Sequence, residues 1–401
     1  MSGVAGRHVV LGVSGGIASY KACVVARRLT EGGATVDVVM TAAATEFVRP
    51  LVFEALTGRP VGTSLWEAGR ALAHIRLGRA PDLIVVAPAT AHLIARAAQG
   101  LADDVLTAIL VARRSPLLLC PAMNDQMYAH PETQKNLATL KSRGVHLLGP
   151  AVGPLARGEG EGPGRMVEPE EIVAHVERHL RSGAPFAGRR VVVTAGPTRE
   201  AMDPVRVVTN RSSGRMGYAL ARAAWLRGAD VTLVTGPTAL PLPIGVDVVR
   251  VESTTDLKAA VDRVLPDADV LLMAAAPADY RPAKVLEAKA PRAGGAVSLA
   301  LEPTDDVLLA TIGRRKKGAV MVGFALEVGD APAKAREKLA RKQLDLVVAN
   351  DAREPGAGPD VPTNRVTLVS PDGETALPLQ AKDLVAEAIL DRVAALLASR
   401  G

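Results

Sequence analysis

Several stretches of this chain combine residue types and spacings suited to work on anions and carboxylates. Ser14-Gly15-Gly16 follows the apolar run Val9-Val10-Leu11-Gly12-Val13 and precedes an amphipathic stretch. A strand that passes through glycines into a helix leaves backbone N–H groups open at the helix's positive end, where a phosphate can sit. Such a turn also serves as a plain connection, and its spacing is not Gly-x-Gly-x-x-Gly. The second strand closes on Thr41 rather than on an acid, which suits a flavin phosphate or ribityl chain better than an adenine ribose. Ala87-Pro88-Ala89-Thr90 and Cys120-Pro121-Ala122-Met123-Asn124 end two further apolar runs. Asn124 reads locally as a helix N-cap, with Met123 and Met127 as core. The alternation around His74 predicts a strand, with Ile75 and Leu77 on one face and His74 with Arg76 on the other. That histidine suits either an anionic substrate or an ordinary surface or interface position.

The second half carries its own set. Ser212-Ser213-Gly214 precedes a predicted helix, with Arg206, Arg211 and Arg215 nearby. An anion fits there, and a dehydrogenase turn holding NADP would use the same physics. Asp279 follows an apolar strand, and Lys284 and Lys289 come soon after it. Lys338 and Lys342 are four apart and share a helix face, either a solvated one or one that meets a polyphosphate.

The elements that must position these groups alternate strand and helix. Strands are expected at Arg7 to Val13, Thr35 to Met40, Asp82 to Ala87 and Pro116 to Cys120, each apolar and bounded by Gly or Pro. Residues 153–165 are rich in Gly and Pro and read as a loop, and a helix from Pro169 to Leu180 closes the first half. The plan then repeats: strands at Arg190 to Thr194, Ala229 to Val234, Asp269 to Ala274, Ala319 to Gly323 and Leu344 to Ala349, with a helix over Gly214 to Gly228. Alternation of this kind implies α/β architecture with two doubly wound, Rossmann-like parallel sheets. The boundaries expected are 1–181 for the first domain, 182–188 for a linker and 189–401 for the second.

Composition agrees with that architecture and narrows the ligands. Of 401 residues 48% are hydrophobic and only 2% aromatic, so the cores are aliphatic, as parallel sheets covered by helices require. The excess of 48 Lys+Arg over 42 Asp+Glu is spread along the chain, and aromatics for base stacking are scarce. This favours small anionic ligands over nucleic acid. Cys23 and Cys120 make neither a disulfide framework nor a zinc site, no signal peptide fits the start, and no apolar run is long enough for a membrane span. A reducing cytoplasm is the expected compartment.

Taken together, "GVSGGIASYK", "AHIRLG", "APATA" and "PAMNDQM" resemble the flavin-dependent cysteine decarboxylases, phosphopantothenoylcysteine decarboxylase above all. The resemblance implies a flavodoxin-like flavoprotein domain. It implies FMN at Ser14, Gly15, Gly16, Thr41, Pro88, Ala89 and Thr90, a catalytic His74, and Asn124 on the substrate carboxylate. It also implies a site built between protomers of a trimer. The family's mobile loop usually carries a cysteine that helps return the enethiol to the saturated aminothiol. Here that loop reads Leu155-Ala156-Arg157-Gly158-Glu159-Gly160-Glu161-Gly162, without one, so Glu159, Glu161 or Cys120 is expected to replace it.

Over the second half, "TAGPTRE", "DPVR", "TNRSSGRMG", "AAAPADYR", "GFALE" and "LDLVVAND" resemble phosphopantothenate–cysteine ligase. The whole chain thus resembles the bifunctional enzymes that make 4'-phosphopantetheine for coenzyme A. That resemblance implies a nucleotide-binding ligase domain with dimeric contacts, the substrates 4'-phosphopantothenate, L-cysteine and CTP, and Mg2+ escorting the triphosphate. Asn210 and Arg206 are implied at the acyl-cytidylate and Lys289 in forming it. Asp279, Lys289, Asp305, Asp306, Val307, Leu308, Phe324, Lys338 and Lys342 are implied around CTP. Thr304-Asp305-Asp306-Val307 departs from the family's usual Asn-Pro-Asp-Ile. The rival readings are an NAD(P)-dependent oxidoreductase, which would lack both Gly-x-Gly-x-x-Gly and a Tyr-x-x-x-Lys pair here, and a non-catalytic flavin-binding module.

Overall fold

The structure is a computed structural model and describes residues 3–66, 72–155, 157–158, 160–181, 183, 185–289 and 298–400. It divides into two units, Met1–Ser182 and Gly183–Gly401. No helix among the described residues is long and apolar enough to cross a membrane.

The first unit opens with β1 (His8–Val13), α1 (Ser19–Glu31), β2 (Thr35–Met40), α2 (Ala42–Thr45) and α3 (Pro50–Thr57). It continues through α4 (Ala73–Arg79), β3 (Leu83–Ala89), α5 (Ala91–Gln99), α6 (Val105–Ala112) and β4 (Leu117–Pro121). Then come α7 (Asp125–Ala129), α8 (Pro131–Ser142), β5 (His146–Leu147), β6 (Ala151–Pro154), β7 (Glu161–Arg165) and α9 (Pro169–Leu180). Five parallel strands lie in the order β2-β1-β3-β4-β5, the flavodoxin-like order with its switch point between β1 and β3. Successive side chains of β1 feed opposite cores. Val9, Leu11 and Val13 pack in one cluster with Ala22, Val25 and Leu29 of α1, and Val10 packs in another with Leu106 of α6. Burial on both faces explains why the strand reads as one continuous apolar run.

Two expectations fail here. Residues 73–79 form helix α4, not a strand. Seven residues of mixed apolar and polar character fit either period, and packing decides. Gly78 lies so close to α6 that a Cβ there would stand 3.1 Å from the Ile109 carbonyl oxygen, and Leu77 is buried. In a helix His74 and Arg76 point to nearly opposite sides, so they do not share a face. The second failure is the loop at 153–165, which contains an antiparallel hairpin of β6 and β7. Its glycines serve close approach: a Cβ on Gly164 would lie 2.2 Å from the Met123 carbonyl oxygen, and Met123 N–H donates to the Gly164 carbonyl at 3.0 Å. The hairpin therefore lies flat on the segment that carries Asn124.

The second unit begins with β8 (Arg190–Ala195), β9 (Arg199–Ala201), β10 (Val207–Thr209), α10 (Arg215–Leu226), β11 (Asp230–Thr235) and β12 (Asp247–Arg250). It proceeds through α11 (Thr254–Val264), β13 (Val270–Met273), β14 (Tyr280–Pro282), β15 (Leu301–Pro303), α12 (Val307–Ala310) and β16 (Val320–Glu327). It ends with α13 (Ala331–Arg341), β17 (Leu346–Asp351), β18 (Thr363–Asn364), β19 (Thr367–Ser370), β20 (Gly373–Ala376), β21 (Gln380–Ala381) and α14 (Lys382–Ala398). The main sheet runs β12-β11-β8-β13-β16-β17-β19-β20. It is parallel through β17 and antiparallel beyond, a Rossmann-like order whose switch point lies between β8 and β13. Helix α10 sits hard on β8, because a Cβ on Gly217 would come within 2.5 Å of that of Ala195.

Candidate functional sites

At the switch point of the first unit the ends of β1, β2, β3 and β4 surround a cavity of about 850 Å³. Ser14, Gly15, Gly16, Thr41, Thr90 and Asn124 all line it, whereas Pro88 and Ala89 are buried behind the wall. The Ser14 hydroxyl is committed inward: it donates to the Pro88 carbonyl oxygen at 2.8 Å and accepts from Thr90 N–H at 3.0 Å. It therefore braces two turns and leaves ligand contact to the backbone. Among the described residues the N–H groups of Gly15, Gly16 and Ile17 meet no backbone acceptor. They face the cavity at the start of a 13-residue helix that has no side-chain cap. Three open donors at a helix N-terminus fit an anionic phosphate, so the residues present suit the flavin phosphate that the sequence implies. Gly15 is required there because a Cβ would lie 2.4 Å from that of Ala43 in α2.

Asn124 does two jobs. Its Oδ1 accepts from Gln126 N–H at 2.9 Å and caps α7, which leaves Nδ2 as a donor toward the cavity. Met127 is 49% exposed and is not the core residue expected, whereas Met123 is half-buried, lines the cavity and packs against the core cluster around Val10 and Leu106. Lys21, buried in α1, reaches across the base of the hairpin to Glu168 Oε1 at 3.0 Å and the Met166 carbonyl oxygen at 3.3 Å. The hydrogen bond from Lys21 and the nearby Arg165 hold the Glu168 carboxyl below its usual range despite some burial. Lys21, the last residue of the "GVSGGIASYK" stretch, and Arg96 both lie on the wall; Arg96 carried no sequence signal beyond its charge.

His74 is half-buried on α4 and is not among the residues lining this cavity. Cys120 is enclosed in the core, where burial pushes its thiol far above the usual range, so it is no proton donor for the cavity. Glu161 stands exposed on β7, off the cavity wall, and Glu159 lies outside the described residues.

The second cavity, about 430 Å³, opens at the switch point of the second unit. Asp279, Asp305, Asp306, Val307, Leu308, Phe324, Lys338 and Lys342 all line it, from four separate segments of chain. Lys342 is buried and bonds Asp306 Oδ2 at 2.7 Å, and Asp306 in turn caps α12 through Leu309 N–H at 3.3 Å. Burial works against the Asp306 carboxylate, but the Lys342 hydrogen bond and charge outweigh it and hold its pKa low. Lys338 donates to the Phe324 carbonyl oxygen. Burial, with Lys342 close by, lowers its pKa to about 8. The two lysines are thus built into a cavity wall and are not a solvated face.

On the opposite wall, Gly214 takes φ +77° as the N-cap of α10, and the N–H groups of Arg215, Met216 and Gly217 meet no backbone acceptor among the described residues. Asn210 is exposed beside this opening, with Nδ2 on the Pro277 carbonyl oxygen at 2.8 Å. Arg206 stands off the wall in the β9–β10 connection, 3.2 Å from the buried Asp203. Lys289 is exposed in the connection between β14 and β15 and does not line the cavity. Ser213, in the turn that the sequence marks for an anion, lies on this wall; sequence reasoning missed Asn364 and Lys382, which lie in a short strand and a closing helix without any motif.

Two doubly wound units, each with open N–H groups at or just before a helix start and on the wall of a cavity at its switch point, define a two-domain α/β protein with cavities suited to anionic groups. Residues 3–181 match the flavoprotein family, and residues 186–397 match the DNA/pantothenate metabolism flavoprotein C-terminal domain. The coenzyme A biosynthesis bifunctional protein CoaBC of Vibrio cholerae is 46% identical over 394 residues, covering 97% of this chain and 98% of its own. The protein of that name from Mycobacterium tuberculosis is 48% identical over 408 residues, covering 98% and 97%. A solved C-terminal domain of such a protein is 39% identical and covers 54% of this chain and 100% of its own, with a TM-score of 0.47. The chain belongs to the family of bifunctional coenzyme A biosynthesis proteins.

Proposed function

We propose that the second unit ligates 4'-phosphopantothenate to L-cysteine with CTP and that the first unit decarboxylates the product to 4'-phosphopantetheine. The observation that carries the ligase reading is the gathering of Asp279, Asp305 to Leu308, Phe324, Lys338 and Lys342 on one cavity wall. In the ligase step a carboxylate oxygen of the pantothenate attacks the α-phosphorus of CTP and pyrophosphate leaves. The cysteine nitrogen then attacks the acyl carbon, loses a proton and expels CMP. Lys338 and Lys342 hold negative charge on the nucleotide, and Lys289, on an adjoining exposed segment, neutralises charge at the reacting phosphate. Asn210 and Arg206 hold the acyl-cytidylate. Mg2+ escorts the triphosphate as part of the substrate.

In the first unit the open N–H groups of Gly15 to Ile17 hold the phosphate of FMN, with Thr41 and Thr90 beside it. FMN, when bound, supplies the two-electron acceptor that makes loss of CO2 from the cysteinyl end easy. Asn124 Nδ2 donates to the substrate carboxylate and orients it. His74 stands off the wall of its own cavity, so this reading has α4 serve a cavity of another copy in a homo-oligomer, with trimeric contacts through this unit and dimeric ones through the other. The cytoplasm is the compartment that supplies these substrates. With Cys120 enclosed, Glu161 and Glu159 are left as proton donors for the reductive return, the first from the hairpin that covers the cavity.

Separate His74→Asn and Lys289→Gln variants test the division of labour. Each is expected to abolish one half-reaction and spare the other. Loss of neither would refute the assignment.

A further inference from the structure

Behind Ala278, which lines the second cavity, lies a run of buried hydroxyls that the ligand contacts above do not use. Thr198, in the turn between β8 and β9, is 1% exposed, and Thr254, at the start of α11, is 2% exposed. Ala278 N–H donates to Thr198 Oγ1 at 2.9 Å, and Thr198 Oγ1 lies 3.0 Å from Thr254 Oγ1. Thr254 donates through both its N–H and its hydroxyl to Oε1 of the buried Glu200 in β9, each at 2.8 Å. Counting protons gives the run its direction, because a threonine hydroxyl has only one. Thr254 spends its proton on Glu200, so the Thr198 hydroxyl donates to Thr254 and accepts from Ala278 N–H. Hydroxyls in line in this way polarise one another.

The run ends where the segment carrying Asn210 is anchored. Thr209 Oγ1 donates to the Thr198 carbonyl oxygen at 2.6 Å, and Asn210 Nδ2 donates to the Pro277 carbonyl oxygen at 2.8 Å. Those two carbonyls belong to different turns, one after β8 and one after β13. A backbone bond from Ala276 N–H to the Gly196 carbonyl oxygen, 2.9 Å long, joins the turns at their base. The Thr198 hydroxyl joins them again two residues further along each, beside both anchor points. Thr304 Oγ1 donates to the Ala278 carbonyl oxygen at 2.6 Å, so both backbone polar groups of Ala278 end on side-chain hydroxyls. Hydroxyls that only filled space could give way to valine at little cost, whereas a fully bonded run fixes one arrangement of the groups it joins.

We propose that Thr198, backed by Thr254 and Glu200, is a positioning residue of the ligase: it sets the spacing of the two turns between which Asn210 is held, and so the placement of Asn210 on the acyl-cytidylate. The proposal rests on the reading of this unit as a nucleotide-dependent ligase. Thr198 is buried off the cavity wall and acts through Asn210. A misplacement of about 1 Å can cost about 10²-fold in rate. The charges that meet the nucleotide, Lys338 in α13 and Lys342 just after it, lie outside the run, so turnover suffers and nucleotide binding does not.

The test uses the full chain and two variants. Thr198→Val keeps the shape and removes the hydroxyl; Thr198→Ser keeps the hydroxyl. CMP release gives kcat and KM for CTP, and exchange of the backbone amides of residues 274–281 is followed by mass spectrometry. Thermal melts set an assay temperature at which each protein is folded. Thr198→Val is expected to lower kcat at least tenfold and to speed that exchange at least tenfold, with KM for CTP within threefold of the parent. Thr198→Ser is expected to return kcat and exchange to within threefold. A kcat within twofold of the parent in Thr198→Val overturns the proposal, whatever the exchange. So does a fall in kcat with unchanged exchange, a rise confined to KM for CTP, or an equal loss in Thr198→Ser. Where Thr198→Val does not fold, Thr254→Val, which removes the next hydroxyl of the run, decides by the same readouts against Thr254→Ser. If the parent chain releases no CMP the ligase reading falls; the exchange then decides the run, and rates within twofold of the parent's in Thr198→Val overturn it.

Discussion

Replacing Lys338 with methionine separates ligand binding from folding. In the free chain the Lys338 ammonium is half-buried and bonds only the neutral Phe324 carbonyl among the described residues. Its charge is unwelcome there, since burial and Lys342 lower its pKa to about 8 from 10.5. A methionine of similar length keeps the packing, so stability should change by no more than about 1 kcal/mol. Nucleotide binding should suffer much more. Two unit charges about 4 Å apart attract by roughly 4 kcal/mol at an effective dielectric of about 20. Asp306 and Glu327 already attract this lysine, and a hydrogen bond to a charged group contributes only about 1.5–3 kcal/mol net of desolvation. Taken as ~2 kcal/mol, the loss corresponds to about a 30-fold weaker Kd for CTP. The sign of the pH effect follows from the same pKa. Below about pH 8 the parent's Lys338 is charged and binds; as pH rises through about 8 it loses its proton and affinity falls. The variant should therefore lose one proton's share of the pH dependence and keep the rest. Calorimetric titration of CTP from pH 7 to 9.5, with thermal melts of both proteins, reads all three quantities. A variant with the parent's Kd within twofold and the parent's pH slope would refute this account of the wall.

Two further substitutions probe the first unit. Asn124→Asp keeps the cap on Gln126 N–H but loses the Nδ2 donor. Decarboxylation should fall by about 10²-fold or more with melting nearly unchanged, whereas an Asn124→Asp variant with full activity, beside a destabilised Asn124→Leu, would reduce the residue to a cap. Gly164→Ala places a Cβ 2.2 Å from the Met123 carbonyl oxygen and must lift the hairpin. A loss of about 1–3 kcal/mol in stability and a collapse of decarboxylation are expected, with CMP release intact; an active, fully stable variant would contradict the close packing described.

The sheets were legible because their strands are buried on both faces and carry unbroken aliphatic runs; β2 and α9 fall where the sequence puts them. The carboxyl-edge turns were legible because each followed an apolar strand and preceded an amphipathic stretch, although such a turn alone also serves as a plain connection. Short segments were not. The seven residues around His74 fit either period until α6 supplies the packing surface for Gly78. The glycines of 153–165 read as loop punctuation, yet at Gly164 they answer to the backbone of Met123. Asn364 and Lys382 were invisible because only the fold brings them to the cavity that Gly214 and Arg215 also line, about 150 residues earlier in the chain.

The central claim is that one chain joins acyl activation by a nucleotide to flavin-assisted decarboxylation. Purified protein should be yellow, with bound FMN released on denaturation, and should release CMP from CTP only when both 4'-phosphopantothenate and cysteine turn over, yielding 4'-phosphopantetheine. A colourless protein that leaves CTP intact in the presence of both substrates would contradict the account.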